Sequence, residues 1–319
     1  MNRITQFVYL VGGYQVGSRL LSFGKTVYNA DYHYVPLGKR LNDLYGGAEG
    51  DRWALVTGAS EGIGRSYALQ LAQAGYNIKI CARSVDKLEK VAEEAKAINP
   101  KCQTQVIKLD VSSAGPADYA SLFSPAEPTS IVVNNAGIMK NKLFLDTDPA
   151  LLELQIKTNV HPYIYMTKYA VSHFIEAKEY AKHKFAMTFT SSMAAMCWMP
   201  NCAEYSGTKA ANHRHGYLLK QSLYKCESTR GLVDVQTLHP AGVSTNLNKF
   251  RAVGGQTASA DACAIGSLSD LGNNSLSIFG AVNHAFFGGF LLPLITWSPE
   301  MNKSAGFART KDPHTVMQD

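Results

Sequence analysis

This sequence lacks paired cysteines. Its 319 residues contain 6 cysteines, but none stands in a C-x-x-C pair, which argues against both a disulfide framework and a zinc site. The cysteines are Cys81, Cys102, Cys197, Cys202, Cys226 and Cys263. The pair His213-x-His215 has no acidic or thiol partner at a matching spacing, so we expect no bound metal ion.

A strong charge bias is also absent. The net charge is +6 and no run of five or more Lys or Arg occurs, so nucleic acid is not an expected partner. The 26 glycines and 12 prolines show no triplet period, which excludes a collagen-like repeat. With 46% hydrophobic and 18% charged residues, the chain has a globular composition and is not wholly disordered.

The first 30 residues contain no Asp or Glu. They carry Arg3, Arg19 and Lys25 among recurring apolar residues, a pattern typical of a mitochondrial targeting segment or a membrane-surface helix. Gly12, Gly13 and the polar residues after them interrupt the apolar run, so a membrane-spanning helix is not expected. The alternative is an arm that packs on the protein's own surface.

A glycine turn follows the first apolar run of the folded part. Residues 52–57 (RWALVT) have the composition of a buried parallel strand, residues 58–64 (GASEGIG) form the turn, and residues 66–75 have helical spacing. Such a turn lets the backbone approach a pyrophosphate at the positive end of the helix. The spacing is G-x-x-x-G-x-G rather than G-x-G-x-x-G, so the turn needs support from the rest of the chain.

That support comes from five further predicted strands. They cover residues 77–82, 105–109, 131–133, 185–190 and 233–238, alternate with helical segments, and run into polar or glycine residues. This alternation predicts an α/β fold with a doubly wound, Rossmann-type parallel sheet. Ligands bind such sheets at the carboxyl ends of the strands, where these polar residues cluster.

The ordered motifs resemble the short-chain dehydrogenase/reductase family over residues 52–250. They are Thr57-Gly58-x-x-x-Gly62-x-Gly64, Asn134-Asn135-Ala136-Gly137, Asn159, Ser192 and Tyr205-x-x-x-Lys209. Residues 240–245 (PAGVST) are similar to the family's P-G-x-V-x-T, with Ala241 in place of the usual glycine.

The resemblance implies a catalytic set of Asn159, Ser192, Tyr205 and Lys209. Tyr205 and Lys209 lie on one face of a helix, where a nearby ammonium is expected to lower the phenol pKa from its free value of about 10. By resemblance, Tyr205 delivers a proton and Lys209 also holds the nicotinamide ribose. Ser192, with Ser191 as its rival, binds the substrate oxygen, and Asn159 holds a water in the proton relay.

The end of the second strand favours NADP(H) over NAD(H). Arg83 offers a planar donor fork suited to a 2′-phosphate, and no acidic residue occurs there before Asp86. Lys87 and Arg65 are further candidates for positive charge, Glu61 counts against this preference, and the alternative for Arg83 is a solvated surface charge. The predicted cofactor contacts are Gly58, Ser60, Gly62, Ile63, Gly64, Arg83, Asp110, Val111, Asn135, Ala136, Gly137, Lys209, Pro240, Gly242, Val243 and Thr245.

Within the family, the chain is most similar to the membrane-associated 3-ketoacyl-CoA reductase / 17β-hydroxysteroid dehydrogenase type 12 group. Residues 53–68 (WALVTGASEGIGRSYA), residues 82–88 and the leader ahead of the first strand carry this resemblance. It implies NADPH-dependent reduction of an apolar ketone, either a 3-oxoacyl-CoA in fatty-acid elongation or a steroid. The family's substrate loop falls at about residues 243–275.

Three regions are predicted along the chain. Residues 1–50 form a membrane-associated or targeting arm and a linker, because Pro36, Gly38 and the glycines of 46–50 break any long periodic element. Residues 51–255 form the NADP-binding reductase domain. Residues 256–319 form an apolar extension, whose uncharged segment 276–297 is either a broken membrane hairpin or a lid or buried helix. We expect a membrane-associated protein, with the mitochondrion preferred over the endoplasmic reticulum.

One departure from the family lies just after the Tyr–Lys pair. Residues 212–215 (NHRH) stand where relatives place aromatic and aliphatic residues in the helix that forms the family's dimer interface. An ordinary homodimer is therefore in doubt. A second hypothesis is an accessory subunit of a large mitochondrial membrane complex, in which the reductase fold is a scaffold that can still hold NADP(H). The intact Asn–Ser–Tyr–Lys set favours an active enzyme.

Overall fold

A computed structural model describes residues 36–46, 50–140, 144–177, 183–197, 202–275 and 277–286, together with Gly17, Gly24 and Gly288. Almost all of the predicted targeting segment 1–30 and about half of the predicted hairpin 276–297 lie outside the described residues. Within the described ranges, no helix combines the length and the hydrophobicity needed to cross a bilayer.

A parallel sheet of seven strands confirms the predicted α/β fold. The strands are β1 (Trp53–Thr57), β2 (Asn77–Ala82), β3 (Thr104–Lys108), β4 (Thr129–Asn134), β5 (Phe185–Thr190), β6 (Val233–Leu238) and β9 (Ser277–Ile278). Their order in the sheet is β3-β2-β1-β4-β5-β6-β9. Strands β2, β5 and β6 have the predicted bounds, whereas β4 is longer than expected and β3 begins and ends one residue earlier. A separate parallel pair is formed by β7 (Gly242–Val243) and β8 (Thr257–Ala258).

Helices cover both faces of the sheet. They are α1 (Leu37–Tyr45), α2 (Gly62–Gln73), α3 (Val85–Ile98), α4 (Pro116–Ala120), α5 (Pro149–Asn159), α6 (His161–Glu176), α7 (Ala203–Lys225), α8 (Ala260–Asp270) and α9 (Val282–Ala285). The period of two along a strand sends Ala54 and Val56 of β1 into one apolar cluster and Leu55 into the other. A sheet buried on both faces explains why its strands are continuous apolar runs.

Residues 37–45 form a helix, although the sequence analysis assigned this stretch to a linker. Two of the breakers noted there lie at its ends, since Pro36 is the N-cap and Gly46 is the C-cap with a φ of 74°, whereas Gly38 is accommodated as the second residue of the helix. Leu41 and Tyr45 are fully buried in the core. The Tyr45 hydroxyl donates to Asp234 Oδ2 of β6 at 2.8 Å. Packing against the distant strand gives this short helix a partner that local sequence does not reveal.

Part of the predicted apolar extension is built into the sheet domain. Helix α8 packs against α2, and β9 pairs in parallel with the end of β6. A Cβ placed on Gly266 of α8 would lie 1.9 Å from the carbonyl oxygen of Gly280, so the helix and the segment after β9 are in close contact. The predicted substrate loop, 243–275, is therefore divided between a stretch in which residues 246, 247 and 249–256 are exposed and the packed helix α8.

Candidate active site

The glycine turn after β1 folds back on the strand end. Gly58 and Gly62 have φ values of 64° and 59°, in the left-handed region that glycine adopts without steric cost. A Cβ on Gly64 would lie 2.2 Å from the Gly58 carbonyl oxygen. The turn therefore requires glycine at these positions, and it brings the first backbone N–H groups of α2 to the sheet edge, where a helix terminus favours an anion.

Strand β4 is locked to the same turn. The backbone N–H groups of Asn135 and Ala136 donate to Thr57 Oγ1 at 2.9 and 3.1 Å. The Asn135 side chain donates to the Thr57 and Gly58 carbonyls at 3.1 and 3.3 Å. These bonds hold the ends of β1 and β4 side by side, so two motifs 78 residues apart in the chain form one surface.

The segment after β6 completes this surface. A Cβ on Gly62 would lie 2.9 Å from Cγ2 of Thr245, which places the predicted contacts of residues 240–245 next to the glycine turn. Asn246 donates to Glu61 Oε1 at 3.1 Å. The chemistry of this cradle suits a dinucleotide pyrophosphate, because glycine backbone and a helix N-terminus are groups that bind an anion.

Arg83 is exposed at the end of β2. Lys87 donates to Glu61 Oε2 at 2.7 Å, and this hydrogen bond lowers the pKa of the Glu61 carboxyl. The Lys87 ammonium is therefore already paired with a carboxylate. Arg65 pairs with Glu94 of α3 and is likewise already engaged. Among the three basic candidates from the sequence, Arg83 is therefore the one for which the structure gives no direct salt bridge.

Asp110, after β3, lies within electrostatic reach of Arg83. Partial burial acts to raise its pKa, but hydrogen bonds from Ser112 together with the Arg83 charge lower it. The carboxylate accepts from the Ser112 backbone N–H at 3.0 Å and from its hydroxyl at 2.7 Å. Asp110 is thus ionised and oriented at the carboxyl edge of the sheet, next to the predicted 2′-phosphate position.

The four predicted catalytic residues come together from three elements. Ser192 follows β5 and hydrogen-bonds Tyr205 of α7. The ammonium Nζ of Lys209 lies 5.7 Å from the centre of the Tyr205 ring and donates to the Thr190 carbonyl at 2.8 Å. A Cβ on exposed Gly137 would lie 3.1 Å from Lys209 Nζ and 3.2 Å from Asn159 Oδ1, so both groups face the same opening.

The Asn159 side chain is tied to the protein on both sides. Its Oδ1 accepts from the Ile138 N–H at 2.8 Å, and its Nδ2 donates to the Ile138 carbonyl at 2.9 Å and to Thr208 Oγ1 at 3.0 Å. The side chain therefore positions the segment after β4 against α7. Its buried location leaves only the remaining Oδ1 lone pair for a water.

The geometry separates Ser192 from its rival, Ser191. Ser191 Oγ donates to the Lys209 carbonyl at 2.7 Å and is buried, so it is committed to helix α7. Ser192 is half-buried, accepts from the Ala194 N–H at 3.1 Å, and shares its hydroxyl with Tyr205. Of the two hydroxyls, the Ser192 group is the one that faces the phenol.

Burial controls protonation in this site. It raises the pKa of Tyr205 to about 12, against the smaller lowering effect of the Ser192 hydrogen bond. It lowers the pKa of Lys209 to about 7. The expectation that the ammonium lowers the phenol pKa is therefore wrong, because both groups are removed from water and desolvation is the largest influence on each.

The sequence analysis missed two groups behind this site. Tyr163 of α6 donates from its hydroxyl to Thr190 O at 3.0 Å, and Lys209 Nζ lies 3.5 Å from that hydroxyl. His239 follows β6 and lies against His213 of α7, with ring nitrogens 3.0 Å apart. His213 stands one helical turn after Lys209, and His239 directly precedes Pro240 at a strand end. These two positions in the sequence are the features from which a role near the active site could have been predicted for the histidines.

Residues 212–215 do not form a polar outer surface on α7. Asn212 is buried and donates to the Asn159 carbonyl at 2.8 Å. His213 faces His239, and His215 packs edge-on against Phe189 of β5 with ring centres 5.6 Å apart. Arg214 alone of the four is exposed. Of these four residues, Arg214 is thus the exposed one that a helix-to-helix interface would have to accommodate, and the doubt about an ordinary homodimer stays a prediction.

The family model described as short chain dehydrogenase matches residues 52–253, and the chain belongs to this family of oxidoreductases. It is similar to two enzymes named very-long-chain 3-oxoacyl-CoA reductase. That of Ajellomyces capsulatus is 33% identical over 213 residues, covering 66% of this chain and 60% of the relative. That of Debaryomyces hansenii is 34% identical over 219 residues, covering 65% and 61%. The chain thus spans about three fifths of these relatives' length.

A human relative and solved structures complete the comparison. The human 17-beta-hydroxysteroid dehydrogenase type 3 is 27% identical over 252 residues, covering 77% of this chain and 76% of its own. An alcohol dehydrogenase from Thermococcus sibiricus complexed with 5-hydroxy-NADP has a TM-score of 0.61 at 22% identity, covering 72% and 95%. A Mycobacterium paratuberculosis enzyme bound to NAD has a TM-score of 0.63 at 17%, covering 74% and 99%. These structures share the fold.

Proposed function

We propose that this protein reduces a ketone on an apolar substrate with NADPH, the substrate being a 3-oxoacyl-CoA or a steroid. The observation that carries the proposal is the convergence of Ser192, Tyr205 and Lys209 beside the glycine turn: Lys209 Nζ lies 5.7 Å from the centre of the Tyr205 ring, and the Ser192 hydroxyl acts to lower the pKa of that phenol. The two reductases and the steroid dehydrogenase named above support the two substrate classes.

Reduction of a ketone creates an alkoxide that needs a proton from a positioned acid. Because its pKa is about 12, the Tyr205 phenol keeps its proton at neutral pH and can donate it to the oxygen. The Ser192 hydroxyl, already bonded to the phenol, is placed to bind the same oxygen. A bound nicotinamide dinucleotide would supply the hydride.

The chain's own groups suit that cofactor at each end. Gly58, Gly62 and Gly64 leave the helix N-terminus of α2 open to a pyrophosphate. Exposed Gly137 leaves space beside Lys209 and Asn159, where Lys209 would hold the nicotinamide ribose. The other proposed contacts lie on the same edge: Ser60, Ile63, Arg83, Asp110, Val111, Asn135, Ala136, Pro240, Gly242, Val243 and Thr245.

The preference for NADPH rests on Arg83. It is exposed, it follows β2 directly, and neither Lys87 nor Arg65 has its charge free to replace it. A guanidinium binds phosphate with paired donors. We expect wild-type protein to bind NADPH more tightly than NADH. Arg83→Asp should raise the dissociation constant for NADPH by at least about tenfold, equivalent to about 1.4 kcal/mol of binding free energy, and leave NADH binding little changed.

A matched control for that experiment is Lys90→Asp. Lys90 is an exposed cation on helix α3, so its replacement changes the net charge by the same amount as Arg83→Asp. We expect Lys90→Asp to keep the cofactor preference. Tighter binding of NADH by the wild type, or equal effects of the two substitutions in a fluorescence titration, would end the NADPH proposal.

Exposed apolar side chains beside the site support an apolar substrate. In the stretch after β7, Leu247, Phe250 and Val253 are 50%, 69% and 63% exposed, and this stretch joins the cofactor surface through Asn246. Lys249 and Arg251 are interspersed among them. Apolar side chains with interleaved cations suit a membrane interface, so we propose membrane association as well.

The decisive assay is a substrate panel with purified protein and NADPH. The panel contains 3-oxoacyl-CoAs of several chain lengths and steroid ketones, and turnover is followed by loss of NADPH absorbance. We expect turnover of one of the two classes. No turnover of any substrate, with NADPH bound, would contradict the reductase proposal.

No described residue favours the scaffold hypothesis over the enzyme. Its supporting features were the leader, the uncharged tail and the polar helix segment. Almost all of the leader and part of the tail lie outside the described residues. In the polar segment 212–215 of α7, the side chains other than Arg214 are turned inward. A native-mass measurement separates the two: migration only in a very large assembly, without turnover, is the scaffold's outcome.

A further inference from the structure

We propose that His239 is a positioning residue for the active site, which holds the Ser192 backbone in place, and that His213 sets the tautomer in which it does so. The inference deepens the proposed function, because it concerns the serine that binds the substrate oxygen. It rests on the contacts that the residues after β6 make with the Ser192 backbone.

The peptide group between Ser192 and Met193 is held at both ends by the residues that follow β6. His239 Nδ1 lies 3.3 Å from the Ser192 carbonyl oxygen. The Met193 N–H donates to the Pro240 carbonyl at 3.0 Å. A peptide group is a rigid plane, so two anchors on opposite sides fix its rotation. Rotation of this plane is the motion that would turn the Ser192 side chain away from Tyr205.

His239 is itself firmly seated. It is fully buried, and its backbone N–H donates to the Ile278 carbonyl of β9 at 2.7 Å. Its ring meets the His213 ring edge-on with centres 4.6 Å apart, and the Phe279 ring lies 6.3 Å away. Strand β9 and helix α7 therefore hold the imidazole from two sides.

The hydrogen-bond partners determine which nitrogen of His239 carries the proton. A carbonyl oxygen only accepts, so Nδ1 must be protonated to bond Ser192. Burial, with the nearby His213 and Lys209 charges, lowers the pKa of His239 to about 3, so the ring is neutral and Nε2 has no proton. Nε2 then accepts from His213 Nδ1, 3.0 Å away, which makes His213 the donor.

The chain of bonds therefore runs in one direction: His213 donates to His239, and His239 donates to Ser192. If His213 were absent, the protonated and unprotonated nitrogens of His239 could exchange. In the other tautomer, Nδ1 would present a lone pair to the Ser192 carbonyl, and two acceptors would face each other in a buried place. His213 therefore stabilises the position of Ser192 by fixing the tautomer of His239.

Substitution of His239 by Asn and by Leu separates donor from packing. The two side chains have similar size, and the Asn amide nitrogen can occupy the place of Nδ1, whereas Leu offers no donor. We expect His239→Leu to lower kcat by about 10- to 100-fold through misplacement of Ser192. His239→Asn should recover most of that loss. The dissociation constant for NADPH should stay within about twofold in both, since His239 is not itself one of the proposed cofactor contacts.

The same pair of substitutions at His213 tests the tautomer. His213→Asn keeps a donor at the position of Nδ1, and His213→Leu removes it. We expect His213→Leu to lower kcat and His213→Asn to retain it. Nitrogen-15 chemical shifts of His239 should show the Nδ1-protonated tautomer in the wild type and in His213→Asn, and loss of that single tautomer in His213→Leu.

The outcomes separate this inference from the proposed function. If no ketone is reduced by the wild type, the function fails while the nitrogen-15 measurement still tests the bond. Equal kcat values for the Leu and Asn variants at position 239, with equal thermal stability, would overturn the positioning role. Protonation of His239 on Nε2 in the wild type would overturn it without any activity measurement.

Discussion

Tyr205 and Lys209 are only 6% and 3% exposed, and this burial favours the neutral form of each, raising the pKa of Tyr205 to about 12 and lowering that of Lys209 to about 7. The phenol holds its proton, which an acid in ketone reduction must do. The Lys209 ammonium loses its proton more easily than a lysine in water does, because burial disfavours its charged form. Its hydrogen-bond partners among the described residues are the Thr190 carbonyl and the Tyr163 hydroxyl.

Tyr205→Phe removes only the phenol oxygen. We expect ketone reduction to be lost, because no other acid replaces the proton donor, while NADPH affinity stays within about twofold, since the oxygen is not part of the cradle. Tyr217→Phe is the control, because Tyr217 is 40% exposed on the same helix. Steady-state kinetics and a cofactor titration measure both, and turnover by Tyr205→Phe would refute the role.

Lys209→Met should change how stability depends on pH. Burial lowers the pKa of Lys209 in the folded state to about 7, from the ordinary value of 10.5. Between these values the unfolded chain binds more protons, so the wild type gains unfolding free energy as pH rises through this window. The gain is at most about 5 kcal/mol. Lys209→Met should lack it.

Urea unfolding at pH 7 and pH 9.5 measures that difference. Lys225→Met is the control, because Lys225 is exposed at the end of the same helix and should behave as the wild type. An equal rise in stability for Lys209→Met and for the wild type would show that Lys209 is not the group responsible.

At the scale of elements, the active site is a set of strand ends held in register by short bonds. Strands β1 and β4 are tied through Thr57 and Asn135, and β5 and β6 through backbone bonds on both sides of Ser192. Two helices then bring side chains to this edge: α2 presents its N-terminus, and α7 presents Tyr205 and Lys209. The turn before α2 tolerates no side chain at Gly64.

Gly64→Ala tests this close approach. The added Cβ would lie 2.2 Å from the Gly58 carbonyl oxygen, so the turn must move. We expect the free energy of unfolding to fall by about 3 kcal/mol and NADPH binding to be lost. Gly207→Ala is the matched control, because Gly207 lies exposed inside α7 with no atom within 4 Å of a new Cβ. Gly207→Ala should raise the free energy of unfolding by up to about 1 kcal/mol, because alanine has the higher helix propensity.

Thermal and urea unfolding of both glycine variants measure the difference. A Gly64→Ala protein as stable as the wild type, with unchanged NADPH affinity, would mean that the turn does not pack against β1 as described.

At the scale of the whole molecule, residues from both ends of the described chain close the same face of the core. Helix α1 places Leu41 and Tyr45 in the cluster that also contains Leu238 of β6 and Leu268 of α8. Arg40 donates to the Leu271 carbonyl at 2.6 Å. The sheet domain thus depends on segments that stand outside residues 52–253, the part that matches the family model.

Leu41→Ala tests this dependence. The side chain is fully buried, so its truncation should lower the free energy of unfolding by about 2–5 kcal/mol. Lys39→Ala serves as the control, because the Lys39 side chain is 64% exposed on the same helix. If the two variants unfold at the same urea concentration, α1 does not belong to the cooperative core.

Local pattern predicted the strands and the glycine turn, because alternation, helical spacing and backbone freedom are properties of neighbouring residues. The proposed catalytic set came instead from the resemblance to the short-chain dehydrogenase/reductase family. Contacts between distant segments decided the rest. Residues 37–45 form a helix because Tyr45 meets Asp234, and residues 212–215 turn inward because Asn159 and His239 lie beneath them. Burial reversed the expected phenol pKa, since desolvation depends on the whole fold rather than on the spacing of Tyr205 and Lys209.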